Sequence, residues 1–154
     1  MPVPSMENSE ELRQLFIDAV TSRAGYPYKW GATGPEAFDC SGLVEWAFEE
    51  IGVPVGDICS SDLYSMFHSK KVLRPAARPG SLWLYSATKN PSEINHVMVM
   101  LRKWPNGEGT LIGSRGGGAW TKSVAAAWAS KAFVDVTTTD YWLKNLVFIV
   151  DPFL

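Results

Sequence analysis

GYPYKWGATGPEAFDCSGLVEWAFEEIG, residues 25–52, is the stretch on which the reading of this chain turns. Its first half, with Gly31 to Ala37 as GATGPEA, has the composition of a loop. Its second half places Leu43, Val44, Ala47, Phe48 and Ile51 on one face and Glu45, Glu49 and Glu50 elsewhere. That spacing predicts an amphipathic helix over 41–51, stopped by Gly52 and Pro54. Cys40 stands at the mouth of this helix, between Asp39 and the small residues Ser41 and Gly42. A helix N-terminus carries unpaired N–H groups and about half a positive charge, which stabilises a thiolate and lowers its pKa from about 8.5. On position alone two readings of Cys40 stand: an activated nucleophile that a substrate can approach, or a small buried side chain filling a core gap.

A nucleophilic Cys needs a base within hydrogen-bond reach, and the chain has two His. His68 lies in the polar stretch His68-Ser69-Lys70-Lys71 and reads as a surface residue. His96 opens the apolar run HVMVML, where a strand start can line a cleft or serve structure alone. Cys40, Cys59, His68 and His96 lack the close pairs of common zinc sites. Cys59 reads as an inert thiol.

Outward from this centre, Leu12, Leu15, Phe16, Ala19 and Val20 form a helical stripe within 8–24, with Asn8 or Ser9 as cap and Gly25 and Pro27 as stop. A short helix is expected over 60–67, opened by Ser60, Ser61 or Asp62. After residue 74 the pattern changes to short apolar runs at 82–85, 96–101, 109–114 and 146–150, set apart by turn residues. WPNGEG, between two of them, reads as a hairpin loop. Helices followed by strands imply an α+β fold, N-terminal helices on an antiparallel sheet, in one domain over 1–154.

Composition narrows the classes. A chain of 154 residues, 46% hydrophobic and 19% charged, is globular and long enough to fold without cross-links. Its net charge of -2 offers no footprint for nucleic acid or an anionic membrane. Two Cys make no disulfide framework. MPVPSMENSEELRQLF has neither the basic nor the apolar region of a signal peptide, and no apolar run is long enough to span a membrane. The expectation is a cytoplasmic or phage-borne protein, with a processed exported form as the alternative.

GYPYKWG, FDCSGLVEWAF, PGSLWLY and NHVMVML together resemble the NlpC/P60 cysteine peptidases of bacterial cell walls. The family pattern runs PYxWGG, FDCSGLV, PGDLVFF and HVGIYL in that order, and the resemblance covers about residues 10–150. It implies a papain-like fold, no metal or organic cofactor, and hydrolysis of peptidoglycan stem peptides or muropeptides, commonly between D-γ-glutamyl and a diamino acid. Carried over by position, Cys40 is the nucleophile and His96 the general base. Tyr28 matches a Tyr close to the nucleophile and is an oxyanion candidate. Asp39 and Ser41 match a pair that helps anchor the stem peptide's amine in some relatives.

The sequence departs from the pattern at a third polar position, often His in a setting like MIHAS, which orients the imidazole. Here the stretch is LIGSR, so that position falls on Gly113. Ser114 takes the role if the strand bulges there, since a one-residue shift changes the face. Otherwise a carbonyl, a water or a distant residue holds His96, or the cleft binds without turnover. Met98 replaces a Gly and is expected to narrow the cleft near His96. Ser81 replaces an Asp, and Ala32 a Gly. Trp120 and Trp128, in GGGAWTKSVAAAWAS, read either as a cleft wall hinged at Gly116–Gly118 or as loop residues packed on the core. The functional alternatives are a peptidase, a silent binding fold, and a thiol acyltransferase or amidase.

Overall fold

The computed structural model describes residues 6–154. Residues 1–5, part of the expected 1–154 domain and of the N-terminus read for a signal peptide, lie outside them. Three helices come first: α1 (Ser9–Thr21), α2 (Cys40–Glu50) and α3 (Ser60–Phe67). Strands β1 (Lys71–Val72), β2 (Leu82–Tyr85), β3 (His96–Lys103) and β4 (Gly109–Arg115) follow, then helix α4 (Val124–Ser130) and strands β5 (Phe133–Thr138) and β6 (Leu146–Val150). All six strands join one antiparallel sheet in the order β1-β6-β2-β3-β4-β5. The fold is α+β, with the expected hairpin at WPNGEG joining β3 to β4. Its loop closes with Trp104 N donating to the Glu108 carbonyl at 2.7 Å.

The sheet is apolar on both faces, which is why β2 reads as an unbroken apolar run. Leu82, Leu84, Val97, Val99 and Ile112 meet the helices through Phe16, Leu43, Phe48 and Phe67. On the opposite face Trp83, Tyr85, Met98, Met100 and Leu111 form a second cluster, flanked by Tyr141 and Trp142. Strand alternation therefore divides the site between two faces. His96 shares the parity of Met98 and Met100, whereas Ser114 shares that of Ile112.

Several expectations are corrected. Leu15 of the α1 stripe is exposed, and Arg13 is buried instead, because its guanidinium pairs with Asp151 at 3.0 Å. Asn8 occupies the cap position of α1 but makes no side-chain cap bond. Trp120 and Trp128 are exposed rather than packed in the core; Trp128 lies on α4 against Phe133, ring centroids 4.8 Å apart. Met98 is wholly buried and fills the space beside Gly113, where an added Cβ would come 2.5 Å from its sulfur.

Candidate active site

The loop before α2 is held from three sides, and that placement sets the position of Cys40. Asp39 caps α2: its carboxylate accepts from Gly42 N at 2.6 Å, from Gly31 N at 3.1 Å and from the Ser41 hydroxyl at 3.3 Å. Burial pushes the Asp39 carboxyl up, against the pull of these donors. Gly42 packs so closely on the Ala32 carbonyl that any Cβ would collide with it. From the sheet, the buried Ser114 hydroxyl donates to the Phe38 carbonyl at 2.6 Å.

Cys40 is thus the first residue of α2, half-buried at one wall of a cavity of about 590 Å³. His96, Tyr28, Tyr141, Trp142 and the Gly116–Gly118 turn line the same cavity. The Cys40 sulfur lies 3.6 Å from the Ser60 hydroxyl, at the start of α3, and 3.9 Å from the Asn95 carbonyl. Burial raises the thiol, while the Ser60 hydroxyl lowers it. Burial, with the positive charge of Arg115, lowers the His96 imidazole to about 4. At neutral pH the pair rests as thiol and imidazole rather than as an ion pair.

Tyr28 is buried, and burial, followed by the neighbouring Cys40 and Asp39, pushes its phenol up. Its hydroxyl therefore stays a neutral donor on the cavity that Cys40 lines. Gly117 lies so close to its ring that a side chain there would strike it. Asp39 and Ser41 are spent on each other and on the helix start, and neither lines the cavity.

Ser114 lines the same cavity as His96, but its hydroxyl donates to the Phe38 carbonyl at 2.6 Å rather than to the imidazole. The sheet keeps regular register through Gly113↔Asp135 and Ser114↔Val134, and the irregularity between β3 and β4 falls at Met100/Arg102 instead. Ser114 thus stays on the helix-facing side. The polar group on the imidazole is the Tyr141 hydroxyl, 3.3 Å from Nε2. Ser60 and Tyr141 escape a sequence reading, because one hides in a helix start and the other in a loop without periodicity. His68 and Cys59 are exposed and away from the cavity. Among the described residues no group of three His, Cys, Asp or Glu side chains is placed to hold a metal.

A nucleophile candidate at a helix mouth and a strand-start His on one cleft is also what relatives of this chain can be compared on. The NlpC/P60 family model matches residues 25–150. The chain belongs to the NlpC/P60 family. Over 39 residues it is 56% identical to a probable endopeptidase of Corynebacterium glutamicum, a match covering 25% of this chain and 19% of that one. Over 117 residues it is 27% identical to the bifunctional muramidase/DL-endopeptidase CwlT of Bacillus subtilis, covering 75% and 33%. This NlpC/P60 chain therefore spans a third or less of those two relatives. The solved peptidoglycan hydrolase RipB of Mycobacterium tuberculosis superposes with a TM-score of 0.67 at 24% identity, covering 94% of this chain and 66% of that one. An NlpC/P60 family protein of Bacillus cereus does so with 0.72 at 16%, covering 99% and 42%. These likenesses establish the fold. No helix among the described residues is long and apolar enough to cross a membrane.

Proposed function

We propose that the chain is a cysteine endopeptidase acting on peptidoglycan stem peptides or muropeptides, cleaving the bond between D-γ-glutamyl and a diamino acid. The observation that carries this reading is the placement of Cys40 and His96 on one cavity, which Tyr28 also lines. The names of the relatives, endopeptidases and a peptidoglycan hydrolase, supply the substrate class.

The chemistry starts from a neutral pair. His96 takes the Cys40 proton as the sulfur attacks the amide carbonyl, so charge develops only along the reaction path. The helix start supplies backbone N–H groups to the oxyanion, and the neutral Tyr28 hydroxyl supplies a further donor. The imidazolium then protonates the leaving amine, and water attacks the thioester to release the acid. Direct Cys40–His96 contact is often looser before substrate arrives than in the reacting complex. Asp39, Ser41 and Ser114 act in this scheme by fixing the helix start rather than by touching substrate.

The test is digestion of purified muropeptides followed by mass spectrometry, with Cys40→Ala and His96→Ala in parallel. Release of a fragment ending in D-γ-glutamate, lost in both variants, is expected. A wild-type chain that cleaves nothing yet binds muropeptides would replace the peptidase with a binding protein. Transfer of the acyl group to an added amine in preference to water would replace it with an acyltransferase.

A further inference from the structure

His96 sits in a cage of aromatic rings on the face of the sheet away from the helices. Tyr85 lies directly opposite it in β2, ring centroids 5.7 Å apart, and Trp142 meets it edge-on at 6.1 Å. Within this cage, among the described residues, one polar side-chain atom reaches the imidazole: the Tyr141 hydroxyl, 3.3 Å from Nε2. The Tyr85 hydroxyl is buried nearby and finds no partner among the described residues. The neighbouring strand cannot supply one, because position 113 is Gly and Met98 fills the space its side chain would need.

From this geometry we infer that Tyr141 is the positioning residue of the Cys40–His96 pair, accepting the proton-bearing Nε2 of His96 so that Nδ1 is left as the base. The inference rests on the reading of Cys40 and His96 as the working pair. Its logic is tautomeric. A neutral imidazole carries one proton, and the partner of one nitrogen decides which nitrogen holds it. With Nε2–H donating to the phenol oxygen, Nδ1 keeps its lone pair and can take the thiol proton. With the phenol donating instead, Nδ1 carries the proton and the base is disabled.

The loop that delivers Tyr141 is braced for this task. Arg115 lies 5.1 Å from the centre of its ring and is itself fixed by Asp135 at 2.8 Å. Trp142, the next residue, adopts a left-handed backbone with φ 45, which a bulky side chain rarely accepts. The conformation places consecutive side chains, the phenol and the indole, against the same imidazole. Burial raises the Tyr141 phenol, so it stays neutral and contributes orientation rather than a negative charge.

The experiment uses the whole chain labelled with 15N on histidine. Long-range 15N–1H spectra report the tautomer of His96, with exposed His68 as the internal reference. Iodoacetamide alkylation of Cys40, with Cys59 as control, reports the working pair. In wild type the proton is expected on Nε2. Tyr141→Phe is expected to mix the tautomers and to slow Cys40 alkylation about tenfold, the worth of one net hydrogen bond, while His68 and Cys59 stay unchanged. A wild-type proton on Nδ1, or a Tyr141→Phe chain with unaltered tautomer and alkylation within twofold of wild type, overturns the inference. If Tyr141→Phe fails to fold, 3,5-difluorotyrosine at position 141 keeps the ring and weakens the oxygen as acceptor. It is expected to shift the His96 Nε2 resonance, and an unmoved resonance overturns the inference. A Cys40 alkylation rate unchanged by His96→Ala sinks the peptidase reading instead, and the tautomer still decides what Tyr141 does.

Discussion

His96 carries a cost that the rest of the protein bears. Its ordinary pKa is about 6.5, and burial beside Arg115 lowers it to about 4 in the folded chain. Between these values the unfolded chain binds the proton and the folded chain does not. Stability therefore rises with pH through this window, is fully present above 6.5, and is lost as pH falls toward 4. The loss from this one group is at most about 3 kcal/mol. Urea unfolding at pH 7.5 and pH 4.5 measures it: the difference is expected to shrink in His96→Gln, which cannot titrate. A wild-type difference unchanged by the substitution would mean that the acid sensitivity arises elsewhere. The same lowering keeps His96 unprotonated through neutral pH, the form the proposed mechanism needs, so the acid limb of activity should fall below pH 6.

At the scale of the element, the start of α2 is a packed joint between two loops and a helix. Gly42 touches the Ala32 carbonyl backbone to backbone, and no flexible side chain can give way. Gly42→Ala must separate the loop around residue 32 from the helix, and it is expected to destabilise by about 3 kcal/mol or more. Asp39→Ala removes the cap and should cost about 1–2 kcal/mol, whereas Asp39→Asn keeps an acceptor for Gly42 N and should cost less. Thermal melts of the three variants check this order; equal losses for Asn and Ala would remove the capping argument. Across β3 and β4, Gly113→Ala should destabilise by about 1–3 kcal/mol by driving a Cβ into Met98. Combined with Met98→Ala it should cost less than the two single changes together, since both act on one volume.

These elements also show what the sequence displays and why. β2 carries its pattern openly because both its faces are buried, and α2 because Leu43, Val44, Ala47 and Phe48 enter the core. The polar face expected for α2 fails at Glu45, which is buried and accepts from Ile58 N at 3.0 Å. Cys40 and His96 are legible because each sits at an element boundary. β5 and α4 are not legible in the same way: β5 lies at the sheet edge with Asp135 and Val136 exposed, and α4 is a seven-residue helix that buries little beyond Ala127. Tyr141 is hidden for a further reason. Its contact with His96 spans 45 residues, and no local pattern encodes a side chain that a loop returns to the sheet.

For the molecule as a whole, the two ends of the described chain are tied by a buried charge pair. Arg13 of α1 meets Asp151, just beyond β6, at 3.0 Å, with side chains 6% and 1% exposed. The same guanidinium donates to the Pro79 carbonyl at 2.9 Å, on the turn that leads into β2. One side chain thus joins the first helix, the entry to the central strands and the C-terminal segment. Truncating Arg13 leaves Asp151 buried without its counterion, a loss of about 3–5 kcal/mol, whereas truncating Asp151 leaves Arg13 with Glu10, 3.4 Å from its Nε. Arg13→Ala should lower the urea midpoint strongly, and Asp151→Ala by less, because Glu10 still faces the guanidinium. The double variant should be less destabilised than the sum of the two, because the second removal relieves the stranded charge. The pair lies away from the cavity lined by Cys40 and His96, so the folded fraction of each variant should alkylate Cys40 at the wild-type rate. A slower Cys40 in fully folded Arg13→Ala would show instead that this brace also shapes the cleft, and that α1 and the C-terminal segment set the position of α2 as well as its stability.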